Sequence, residues 1–182
     1  MSEKVDIGGL YLSDYLFGFS GREIARRLGI NHQTASVALK RMVKESFLKS
    51  YVEGRNIKYH LNLEDFKTKH LLSLAEEQKA QHYLELFELK AVVSSILIYA
   101  DTLVVFGSFA KGTQKDGSDL DLVIIQSSSR SKIEEIFRLF PREINAHYVT
   151  WKEFIGSFQQ RNHLALEIRK DHVIYGNILK IM

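Results

Sequence analysis

Two short apolar runs, Thr102-Leu103-Val104-Val105-Phe106-Gly107 and Leu120-Asp121-Leu122-Val123-Ile124-Ile125, stand close together in the sequence. Each is too short for a core helix and too continuous for a strand with one wet face. Both therefore read as buried strands. The first ends in a glycine and runs on as Ser108-Phe109-Ala110-Lys111-Gly112, a sharp turn into a helical segment. The second is entered through Ser118-Asp119-Leu120-Asp121. Because side chains alternate across a strand, Asp119 and Asp121 share one face.

Paired carboxylates at that spacing repel each other unless a cation sits between them, and ligands that are all oxygen favour Mg2+ or Mn2+ over zinc. The other half of the pattern answers to phosphate. Gly107 lets a phosphate approach the backbone closely, and the turn into a helix presents N–H groups. The Ser108 hydroxyl adds a hydrogen bond, and Lys111 is expected near the same phosphates. The expectation is a metal pair at Asp119 and Asp121 facing a nucleotide cradle at Gly107, Ser108 and Lys111. That is the equipment for transferring a nucleotidyl group from a nucleoside triphosphate by in-line displacement.

These residues resemble the polymerase-β-like nucleotidyltransferase superfamily, whose mark is Gly-Ser, a spacer, then Asp-x-Asp on the next strand. Here Gly107-Ser108 and Asp119-Leu120-Asp121 are separated by ten residues, 109–118, which is similar to the minimal nucleotidyltransferase branch. Antitoxin partners of HEPN toxins belong to that branch. The likeness spans roughly residues 90–178 and includes the closing Leu164-Ala165-Leu166-Glu167-Ile168 through Tyr175-Gly176-Asn177. It implies a third carboxylate on a later strand, completing the metal site and helping to activate the attacking hydroxyl. The candidate strand is Glu143-Ile144-Asn145-Ala146-His147-Tyr148-Val149, and the position expected for the acid holds Asn145. Glu143 substitutes if the register slips by two, and is taken as the third catalytic residue beside Asp119 and Asp121. His147 is a base or ligand on the same face, unless all three are polar residues of an edge strand.

The N-terminal third carries the positive charge. Residues 1–62 hold 10 Lys/Arg against 6 Asp/Glu, while the remaining 120 hold 15 against 16. A first apolar segment, Leu10, Tyr11, Tyr15, Leu16 and Phe17, precedes Ser20-Gly21-Arg22-Glu23, the spacing of a capping box. Ile24, Ala25 and Leu28 form one face of the helix this starts, and Gly29 ends it. Asn31 caps a second helix whose apolar stripe is Ala35, Ala38, Leu39, Met42 and Val43. Its other face is polar and basic. Phe47–Val52 and Ile57–Leu61 then read as a hairpin around Glu53-Gly54-Arg55-Asn56, with Ile57, Tyr59 and Leu61 turned to the core. The succession resembles the winged helix-turn-helix regulators of bacteria and archaea over roughly residues 8–62. The resemblance implies double-stranded DNA as partner. Gln33, Thr34 and Ser36 would face base edges, Lys40 and Arg41 the phosphates, and Arg55 a backbone or minor groove at the wing tip.

Between these parts, Leu63 to about Ala100 lacks Gly and Pro and is expected to be helical with one break. Leu63, Phe66, Leu71 and Leu74 lie on one face, followed by Tyr83, Leu84, Phe87 and Ala91 on another. The expected fold class is α+β: a winged helix over 1–62, a helical connector over 63–98, and a small α/β nucleotidyltransferase-like domain with a mixed sheet over 99–182. No apolar run reaches a membrane span, and the acidic start lacks a secretory signal's order. The absence of cysteine excludes disulfides and fits a reducing cytoplasm. Trp151, Phe154 and Phe158 read as core, and His163 and His172 as surface. Three functions follow: a DNA-binding regulator that transfers a nucleotidyl group to a protein or small molecule, a regulator that only senses nucleotide, or an antitoxin-like partner of a toxin. A homodimer suits the DNA reading.

Overall fold

The computed structural model describes residues 3–86, 89–160 and 162–180. The chain forms two compact units, one ending at Glu76 and the other beginning at Glu77. No helix among the described residues is long and apolar enough to cross a membrane.

The first unit opens with α1 (Glu3–Gly9) and continues through β1 (Phe19–Ser20), α2 (Gly21–Leu28), α3 (His32–Lys44), β2 (Leu48–Glu53) and β3 (Asn56–Leu61). Local chemistry sets the ends of α2 and α3. The Ser20 hydroxyl accepts from the Glu23 N–H at 3.3 Å, and the Ser20 N–H donates to the Glu23 carboxylate at 2.7 Å, so two orphan donors are satisfied at once. Gly29 closes α2 in the left-handed region at φ +65, where a side chain is strained. Asn31 Oδ1 accepts from the Gln33 N–H at 2.7 Å and starts α3 two residues later.

The hairpin β2–β3 is antiparallel with a two-residue turn at Gly54 and Arg55, and β1 adds to its other edge in the order β1-β3-β2. Ile7, Tyr11, Phe19, Ile24, Leu39, Met42, Leu48 and Leu61 meet in one core. This is a winged helix-turn-helix topology. Two expectations are corrected. The first helix lies at 3–9, and the apolar segment 10–17 folds as turns that leave Leu16 and Phe17 exposed. Ile57 extends beyond the core into solvent opposite Val52, so only Tyr59 and Leu61 of its face are buried.

Helix α4 (Phe66–Leu86) begins in the first unit's residues and ends in the second's. Its early turns give Leu71, Leu72 and Ala75 to the first core, whereas Phe66 and Leu74 face outward, against the expected apolar face. Its later turns give Ala80 to the second core, with Tyr83 and Leu84 packed against it. Because these faces differ, α4 has no single apolar stripe. This helix ends at Leu86 and the next begins at Lys90, and Phe87 lies outside the described residues.

The second unit continues with α5 (Lys90–Leu97), β4 (Ala100–Phe106), α6 (Gly107–Lys111), β5 (Leu120–Ser127), α7 (Arg130–Phe137) and β6 (Ile144–Val149). It closes with α8 (Trp151–Gln159), α9 (His163–Lys170), β7 (Val173–Gly176) and one 3-10 turn at Ile178–Lys180. The sheet order is β6-β5-β4-β7. Strands β5 and β6 run parallel around the α7 crossover, and the β4 pairings are antiparallel, so the sheet is mixed. Both faces of the central strands are buried. Leu103, Val105, Leu122 and Ile124 pack with Val93, Ile96 and Ile133 of α5 and α7. Val104, Val123 and Ile125 are buried on the opposite face. Phe154 is buried, with Phe158 against it at 5.1 Å between ring centroids. The expectation for His172 is corrected: the residue is buried, and its Nδ1 lies 2.7 Å from the Ile168 carbonyl.

Candidate functional site

The sheet brings three strand ends together. Phe106, at the end of β4, pairs with Asp121 near the start of β5, and Asp121 pairs on its other side with Asn145 of β6. Gly107 follows Phe106 at φ +67, and a Cβ built there would stand 2.2 Å from Asp121 Oδ2. Only glycine satisfies both the backbone and the neighbouring carboxylate. The turn Gly107–Ser108 and the carboxylate pair are therefore adjacent. Ser108 is partly buried in the single-turn helix α6. Lys111 is exposed at the far end of that turn and lines neither cavity described below.

Asn145 decides the electrostatics of the pair. Its Nδ2 donates to Asp119 Oδ2 at 3.3 Å and to Asp121 Oδ1 at 3.4 Å, so a neutral amide bridges both carboxylates. Burial pushes the Asp121 carboxyl above its ordinary range. The Asn145 hydrogen bond opposes this, Asp119 and Glu167 add to it, and His147 pulls down. Register places Asn145, not Glu143, beside Asp121. Ile144 pairs with Leu120 and Asn145 with Asp121, and the Glu143 carbonyl accepts the Leu120 N–H at 2.9 Å. The slip of two that would bring Glu143 to the carboxylates is not adopted.

Two cavities flank the pair. One, of about 430 Å³, is lined by Asp116, Gly117, Asp119, Pro141, Arg142 and Glu143. The other, of about 540 Å³, lies on the Asp121 side, where Asn145, His147, His163 and Glu167 face it. Glu167 is the acidic residue that sequence reasoning missed. It follows Asp121 by 46 residues on α9, and its only signal was the helical spacing from His163, whose Nδ1 stands 3.9 Å from its carboxylate.

Among the described residues no set of three or more His, Cys, Asp or Glu side chains is gathered closely enough to hold a metal ion. The pair nevertheless fits a hard divalent cation. Mg2+ takes one or two carboxylates from a protein and completes its shell with water and phosphate oxygens. Asp119 and Asp121 offer that, one of them partly withdrawn from water.

In the first unit, Gln33, Thr34, Lys40 and Arg41 are exposed on α3, and Ser36 is partly buried. Arg41 is ion-paired with Glu3 of α1. Arg55 is exposed at the tip of the hairpin. Val37, 67% exposed, lies among the α3 residues, and its i+4 spacing from Gln33 would have placed it there.

Residues 86–175 match the family model described as the nucleotidyltransferase domain. The chain carries a nucleotidyltransferase domain. The match spans just under half of the sequence, and its interval holds the glycine turn, both aspartates and Asn145. No curated protein is significantly similar to the chain. Among solved structures, a MarR family protein from Bacillus stearothermophilus is similar at 10% identity and a TM-score of 0.37, covering 48% of this chain and 60% of that one. MepR, a transcription regulator of the Staphylococcus aureus multidrug efflux pump MepA, is similar at 19% identity and 0.35, covering 54% and 78%. TrmBL2, an archaeal chromatin protein, is similar at 13% and 0.28, covering 90% and 68%. These likenesses are remote.

Proposed function

We propose that the chain is a DNA-binding regulator whose nucleotidyltransferase domain binds a metal-bound nucleoside triphosphate and senses it rather than transferring it. The observation that carries this reading is Asn145. It occupies the place beside Asp119 and Asp121 where active relatives of the resembled superfamily carry a carboxylate, and an amide there neither adds charge to a cation site nor accepts a proton. Asp119 and Asp121 would hold Mg2+ or Mn2+, and Gly107 and Ser108 the phosphates. When bound, the cation supplies charge neutralisation for the triphosphate. Support for DNA binding comes from the winged topology, the exposed polar and basic face of α3, and the surplus of positive charge in residues 1–62. A toxin or other protein partner has no such support in the two units.

One observation favours transfer as a second reading. Glu167 lines the same cavity as Asp121, and a carboxylate there is of the type that accepts a proton from an acceptor hydroxyl.

The deciding experiment incubates each nucleoside triphosphate with the full chain and Mg2+, following binding by calorimetry and pyrophosphate by a coupled assay. Wild type, Asp119→Asn/Asp121→Asn and Asn145→Asp are compared. Sensing requires metal-dependent binding by wild type that the double variant loses, with release gained by about 100-fold or more in Asn145→Asp. Release by wild type that Asn145→Asp does not exceed supports transfer through Glu167. No binding by wild type rejects the nucleotide reading. On the DNA side, Lys40→Ala/Arg41→Ala should weaken duplex binding and reduce its salt slope by about two.

A further inference from the structure

On α3 the buried positions are Ala35, Ala38, Leu39 and Met42. The opposite side exposes Gln33, Thr34, Lys40, Arg41 and Lys44, and at its centre stands Val37, 67% exposed. Among the described residues it is the large hydrophobic side chain that α3 leaves in water. Gln33 and Thr34 lie one turn before it, and Lys40 and Arg41 one turn after. Val37 contributes nothing to the first unit's core. A β-branched residue is also a weaker helix former than alanine at an exposed site, so α3 gains nothing from it locally.

The major groove gives such a side chain one counterpart. Base edges there present donors and acceptors everywhere except at the C5 methyl of thymine, the apolar group on offer. A helix lying in the groove with its first turns toward the bases brings its second turn within reach of a base edge, while cations further along meet phosphates. We infer that Val37 reads a thymine methyl, so that an A·T pair opposite the second turn of α3 is part of the DNA target. The inference rests on the DNA-binding reading and adds to it the base class recognised and the residue that recognises it.

The test uses the full chain. Duplexes enriched from a random-sequence library are made again with each thymine replaced in turn by uracil, which removes the methyl and nothing else. Wild type and Val37→Ser are titrated against each. Serine and valine have nearly the same helix propensity, so α3 is not compromised. The expected result is a thymine whose replacement weakens wild type about fourfold, the worth of one buried methyl. The same replacement should leave Val37→Ser, already weaker on the thymine duplex, unchanged. A bound and enriched duplex in which uracil costs both proteins equally, or costs neither anything, overturns the inference and leaves DNA binding standing. Failure to bind any duplex at low salt overturns both.

Discussion

Gly107 shows how much of this domain can depend on a hydrogen atom in place of a side chain. Its φ of +67 lies where L-residues are strained, and the space a Cβ would occupy is filled by the Asp121 carboxylate at 2.2 Å. Gly107→Ala has to rotate the turn or displace Asp121, and either movement shifts the turn proposed to hold phosphate relative to the aspartates proposed to hold the cation. The expected cost is about 1–3 kcal/mol of stability, read as a lower denaturation midpoint. Metal-dependent nucleotide binding should fall further than that loss of stability explains. A variant that binds nucleotide like wild type would show that the turn and Asp121 do not act together. Asp121 carries a pH consequence of its own. Because burial raises its carboxyl, a proton competes with a cation there from a higher pH than at an ordinary aspartate, and Mn2+ affinity should begin to fall earlier on acidification.

Elements whose ends are set by local chemistry were legible from the sequence. Ser20 with Glu23, Gly29 and Asn31 each act within four residues, and each stands where its residue type predicts. Strands β4 and β5 were legible for a different reason, since burial on both faces writes itself as an unbroken apolar run. Contacts that depend on distant partners were not. β1 is two residues long and exists only through pairing with β3, and Ile57 is exposed because the core ends one residue pair earlier. Glu167 reaches the site through the packing of α9, which no local pattern announces.

The capping box of α2 has a measurable pH signature. Hydrogen bonds from the Ser20 N–H and hydroxyl, with Lys58 adding at 3.0 Å, hold the Glu23 carboxyl at about 2, below its ordinary 4.5. A depressed folded-state value means stability that is present above about pH 4.5 and lost as pH falls toward 2. Because Glu23 is about a third exposed, solvent screening holds the contribution to about 1 kcal/mol. Glu23→Gln keeps an acceptor for the Ser20 N–H but does not titrate. Its urea midpoint should therefore change less than that of wild type between pH 4.5 and 2.5. Parallel curves for the two proteins would remove Glu23 from the acid lability of the first unit.

Across the whole molecule, α4 is the continuous element, with Leu71, Leu72 and Ala75 in one core and Ala80 in the other. The same helix is thus the covalent route by which a change in the packing of its later turns would reach residues of the first unit's core, if the units are coupled. If the regulator senses nucleotide, the two binding events share a coupling free energy, and that coupling is reciprocal. Metal-bound nucleotide should change duplex affinity by some factor, of the order of 5- to 150-fold for typical couplings, and duplex should change nucleotide affinity by the same factor. Both can be measured by titration at fixed salt, since duplex affinity alone shifts steeply with ionic strength. Asp119→Asn/Asp121→Asn should bind duplex as nucleotide-free wild type does and ignore added nucleotide. A factor different from one establishes that the two sites are coupled, and agreement between the two factors, which linkage requires, checks the measurement. Two factors of one would mean a DNA-binding unit and a nucleotide-binding unit that share a helix without sharing a signal, and sensing as the role of the nucleotidyltransferase domain would fall.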